Sequence, residues 1–106
     1  MTLEEIAKRL GAVGLPLAYR GFPRRREPPY LIYYEDGGES LGADFKNFGA
    51  KTYIAVLLVT SKKDPALEKK VEAAIDGVPY DKTELWLPEQ ELLEVTYDFL
   101  NIEKER

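Results

Sequence analysis

The 106-residue sequence contains no cysteine and no histidine. The first absence removes disulfides, thiolate metal ligands and thiol nucleophiles; the second removes the side chain best suited to moving protons near neutral pH. No stretch approaches the run of about 20 apolar residues that crosses a bilayer. The opening Met1-Thr2-Leu3-Glu4-Glu5 is acidic and already helical in pattern, unlike a signal peptide or a lipidation site. Positive charge is also short: 15 Lys and Arg against 19 Asp and Glu leave a net charge of -4, which argues against generic binding to polyanions. These absences predict a soluble chain that starts in a cytoplasm, with no cofactor, no metal and no membrane partner.

What is present is ordinary globular usage, 44% hydrophobic and 32% charged residues, in a length that suits a single domain over residues 1–106. Thr2 and Glu5 fit an S/T-x-x-E capping box, and Leu3, Ile6, Ala7 and Leu10 recur at helical spacing. They predict a helix over about 2–11 with Gly11 as its stop. Leu15 to Tyr19 reads as a short extended piece, and Gly21 to Pro29, with three prolines and three arginines, as an exposed loop. Tyr30 to Glu35 has the aromatic and branched texture of a strand, which Asp36-Gly37-Gly38 should end with turn chemistry. Glu39 to Gly49 is expected to be a loop or distorted strand edge pinned by Leu41, Phe45 and Phe48.

Lys51 to Thr60 puts apolar residues on both faces of a period-two element and must be a central strand. Asp64-Pro65 opens a second helix, about 65–76, with Leu67, Val71, Ala74 and Ile75 on its buried stripe and Gly77 at its end. Two last strands follow, Tyr80 to Leu87 and about 93–99, paired as a hairpin. The order α-β-β-β-α-β-β predicts an α+β fold: one mostly antiparallel sheet of about five strands, with two helices packed on one face. Two such helices cover one sheet face only, while strands 30–36 and 51–60 are apolar on both. Either long loops or a neighbouring subunit must cover the other.

Chemical motifs are few. Gly37-Gly38 and Gly42 form neither a dinucleotide fingerprint nor a P-loop, Ser40 and Ser61 have no histidine to act as base, and the carboxylates show no metal-loop or glycosidase spacing. We therefore expect no enzyme activity. Arg24-Arg25-Arg26, near Arg20 and among Tyr19, Phe22 and Tyr30, is the single basic cluster with aromatic neighbours. It reads as a solvated or subunit-contacting loop, with a nucleic-acid or regulatory partner as the competing reading. Trp86, the lone tryptophan, suits an interface anchor or core packing equally. Arg24, Arg25, Arg26, Phe45, Phe48 and Trp86 are thus the candidate contact residues.

Several segments together resemble a family of small proteins from the tail-assembly region of long-tailed phages and prophages of Gram-positive bacteria. They are the Leu3-Glu4-Glu5-Ile6 helix, Gly14 to Tyr19, Pro28 to Tyr34, Gly42-Ala43-Asp44, Thr60 to Glu68 opening a helix, and the Leu93 to Phe99 strand. The likeness spans nearly the whole chain and rests on packing and turn residues. It implies a tail terminator or tail-completion protein: an α+β subunit that forms a ring, commonly a hexamer, on the tail tube and joins tail to head. The implied partners are copies of itself and tail-tube and neck proteins, first in the host cytoplasm and then in the virion.

Overall fold

The helical spacing and the strand alternation resolve into seven elements in the computed structural model, which describes residues 1–41 and 49–103. They are α1 (Leu3–Gly11), β1 (Leu17–Tyr19), β2 (Tyr30–Leu41), β3 (Gly49–Thr60), α2 (Pro65–Ala74), β4 (Asp81–Leu87) and β5 (Leu92–Glu103). The strands build one sheet in the order β1-β2-β3-β5-β4. β1 runs parallel to β2, and the remaining neighbours are antiparallel. The α+β class, the element order and the central place of β3 are as the sequence predicts.

Both helices begin where their capping residues put them. The Glu5 amide donates to Thr2 Oγ1 at 3.1 Å, and the Leu67 amide donates to Asp64 Oδ1 at 3.2 Å, with Pro65 at the first helical position. Each cap satisfies an amide that the first turn leaves unpaired. Their apolar stripes then meet the sheet. Ile6 and Leu10 of α1, with Val71 and Ile75 of α2 and its C-cap, pack on Leu31, Ile54, Val56, Leu58, Leu93, Val95, Tyr97 and Phe99. Full burial of each such aliphatic side chain contributes about 1.5–3 kcal/mol. This inner face is the core, and both helices lie on it.

Alternation sends the intervening residues to the outer face. In register across β2, β3 and β5, Tyr30 stands beside Val59 and Glu94, Ile32 beside Leu57 and Thr96, and Tyr34 beside Ala55 and Asp98. No described helix covers them.

Three boundaries depart from the sequence reading, whereas α1 ends at Gly11 as expected, with Ala12 as a right-handed cap and the left-handed conformation at Gly14, φ +88°. β5 runs past 99 to Glu103. The second helix closes at Ala74 and not at 76. β2 does not end at Asp36-Gly37-Gly38 but runs through to Leu41. Gly37, at φ +92°, absorbs a bulge, and the register with β3 shifts between Glu35 and Gly38. Turn chemistry inside a strand became an irregularity that the ladder spans. Gly42 and the candidate contacts Phe45 and Phe48 lie outside the described residues.

Candidate functional site

The helix side of the sheet is closed by an ionic network. Glu68 of α2 is buried, and its carboxylate takes Lys82 at 2.7 Å and Lys63 at 2.9 Å. Lys82 also meets Glu72 at 2.9 Å, Lys63 meets Glu84, and the Tyr97 hydroxyl donates to Glu72 at 2.8 Å. Burial pushes the Glu68 carboxyl upward, but hydrogen bonds from Lys82 and Lys63 outweigh it and hold the group below its ordinary range. The hydrogen bond from Lys82 is the largest influence on Glu72, also lowered. Burial and the Glu72 hydrogen bond raise the Tyr97 hydroxyl well above its usual value. Every member has a partner, so this cluster ties α2 to β4 and β5 and leaves no group free for chemistry.

The outer face is different. Its β2–β3 half is apolar, formed by Tyr30, Ile32, Tyr34, Ala55, Leu57 and Val59. Ala55 and Val59 are buried beneath the larger side chains beside them, while Tyr53 and Leu100 are 47% and 40% exposed. Its β5–β4 half is polar and acidic: Glu94, Thr96 and Asp98 of β5 stand opposite Leu85, Thr83 and Asp81 of β4. Asp81 and Asp98 are therefore direct cross-strand partners of like charge, an arrangement that destabilises a sheet. Burial first, then Asp36 and Asp81, raise the Asp98 carboxyl. Burial and Asp36 likewise raise the Tyr34 hydroxyl, and burial and Glu94 that of Tyr30. A cleft of about 290 Å³ opens at the end of this acidic half, lined by Tyr53, Pro79, Tyr80, Asp81, Asp98, Phe99 and Leu100. Among the described residues, none of Asp36, Asp81, Glu94 and Asp98 has a salt bridge, and no group of three or more acidic side chains is arranged to hold a metal.

The arginine loop sits at the other end. Phe22 packs edge-on against Tyr30 with ring centroids 5.3 Å apart, and the Arg26 guanidinium lies 5.2 Å from the Phe22 ring. Arg24, Arg25 and Arg26 are exposed. Arg20 is set apart from them. It takes φ +68°, donates to the Glu35 carbonyl at 3.2 Å, and rests 5.6 Å from the Tyr19 and Tyr34 rings, so it secures the β1–β2 edge.

Trp86 occupies the outermost strand, β4, and is 49% exposed. Its side of β4 is the helix side, because Lys82 and Glu84, two and four residues earlier, reach α2 and Lys63. The structure therefore does not bring Trp86 and Arg24 to Arg26 together: they lie on opposite faces and on opposite sides of β3. The acidic half of the outer face was not visible beforehand. Glu94, Thr96 and Asp98 show as the polar alternates of a strand, but only the hairpin register sets Asp81 against Asp98.

No protein-family model matches the sequence. No curated protein matches it. Among solved structures, a chain of the "Virion of native gene transfer agent (GTA) particle" is similar, with a TM-score of 0.57 and 12% identity over 94% of this chain and 92% of that one. At that identity the likeness is one of fold, and it extends over nearly the full length of both chains. No described helix is long and apolar enough to cross a membrane.

Proposed function

We propose that this chain is a non-enzymatic structural subunit of a phage-like particle, of the tail-terminator type. It assembles with copies of itself into a ring at the tail end and joins tail to head. The observation that carries the reading is the outer sheet face, where Tyr30, Ile32, Tyr34 and Leu57 form a half-buried apolar surface that no described helix covers and that the 20–26 loop reaches only through Phe22 against Tyr30 and Arg20 against Tyr34. A contiguous apolar face of this kind is a protein-contact surface. Support comes from the fold neighbour in a gene transfer agent virion, matched over nearly its whole length, and from the resemblance to tail-completion proteins in the sequence. On this reading the host cytoplasm is the place of assembly and the virion the destination.

The test is negative-stain microscopy of purified protein mixed with tail tubes from a related phage, accompanied by light scattering on the protein alone. Rings, or caps at one end of the tubes, are the expected result. A protein that stays monomeric and ignores the tubes overturns the reading. Salt-sensitive binding to single-stranded DNA or RNA, lost on joint replacement of Arg24, Arg25 and Arg26 by alanine, would replace it with a nucleic-acid module.

A further inference from the structure

Two features of the outer face remain unsatisfied within one chain, and they are opposite in charge. The first is the acidic end of the β5–β4 half, where Asp81 and Asp98 face each other across β4 and β5 and Asp36 is close enough to raise the Asp98 carboxyl. Among the described residues, none of these three carboxylates forms a salt bridge. The second is the loop carrying Arg24, Arg25 and Arg26, which no described carboxylate pairs. The same chain cannot join them. Phe22 holds the loop beside Tyr30. The Asp81–Asp98 pair lies four residues further along the strands, three strands away through β3 and β5 to β4. That displacement is roughly 13 Å along the sheet and about 14 Å across it.

We propose that the acidic, aromatic-lined end of the outer face is the docking site for the Arg24–Arg26 loop of a second copy of this chain. The cleft suits a guanidinium in chemistry as well as charge. Asp81 and Asp98 offer carboxylates for charge-assisted hydrogen bonds, and Tyr53, over whose ring the Lys51 ammonium lies at 6.0 Å, shows that an aromatic ring at this end of the face accepts a cation. The loop already shows that stacking mode in Arg26 over Phe22. A cation placed there relieves the repulsion between the facing aspartates, and Leu100, Tyr53 and the apolar β2–β3 half supply area around it. A nucleic acid does not fit this end of the face, since the carboxylates repel phosphate.

In the ring of the proposed function, the loop of each copy enters the cleft of the next, a heterologous contact that closes by rotation. The inference thus rests on the ring-subunit reading and specifies which surfaces meet.

Charge reversal tests it. Three variants are compared with wild type by sedimentation and by tube capping, after circular dichroism and melting establish that each folds. One carries Asp81→Lys and Asp98→Lys, one carries Arg24→Glu, Arg25→Glu and Arg26→Glu, and one carries all five. Each of the first two should raise the concentration for half-association about tenfold or more, because like charges now face each other. The third restores the attraction with its sign inverted and should associate within a few-fold of wild type. Wild-type association with no effect of either reversal overturns this contact and leaves the ring reading standing. Loss in both reversals without recovery in the third also overturns it. Absence of association by wild type, with and without tubes, removes both.

Discussion

Gly38 occupies a point on β2 where no side chain fits. A Cβ built on it would lie 2.6 Å from the backbone oxygen of Lys51, and backbone cannot swing aside. Gly38→Ala is expected to destabilise the protein by about 1–3 kcal/mol, read as a lower urea midpoint at unchanged slope. Glu68 gives a second expectation. Its folded carboxyl titrates below the ordinary range, as does that of Glu72. The stability they add is fully present above the unfolded value near 4.3 and is lost as pH falls through the folded one. Melting temperature should therefore drop below about pH 4, and Glu68→Gln should flatten that acid limb while lowering stability at pH 7. At this scale the caps were legible, because Thr2 and Asp64 act on amides three residues away. The ion network was not, since Lys82 reaches Glu68 only through the docking of β4 beside α2.

Elements obey their boundaries for different reasons. α2 starts sharply because Asp64 and Pro65 each act on its first turn, and Asp64→Ala should cost about 0.5–2 kcal/mol, measurable as a shift in thermal unfolding. β3 could be placed at the sheet centre from composition alone, because residues 53 to 59 are apolar at both even and odd positions. The extension of β2 past Gly37 could not. Asp-Gly-Gly marks a hairpin wherever the chain reverses, and here pairing of Gly38 to Leu41 with Gly49 to Thr52 kept the strand going. Local residues state what conformation is available; the partner strand decides whether it turns the chain or merely bends it.

For the molecule as a whole, the two sheet faces separate stability from assembly. The inner face holds the core, whereas the outer face carries a like-charged pair that the isolated fold would be better without. Asp98 is raised by burial, Asp36 and Asp81, so its ionisation weakens the isolated chain as pH rises through the carboxylate range. Asp98→Asn should thus raise the melting temperature of the monomer at pH 7, lose that advantage near pH 3, and weaken self-association, a combination checked by calorimetry beside sedimentation. The two-faced strands made an uncovered face readable in the sequence, but its division into apolar and acidic halves needed the order β2-β3-β5-β4. That same order has a consequence for synthesis. β5 is the last described element and yet lies inside the sheet, between β3 and β4. A ribosome delivers β3 on the order of 40 residues before the strand that closes its open edge, an interval of several seconds at ordinary translation rates. Throughout it the apolar Tyr53–Val59 segment is a bare template for any neighbouring chain. Slow translation, or a message cut short before Leu92, should therefore send the nascent protein into aggregates, although the finished fold is sound.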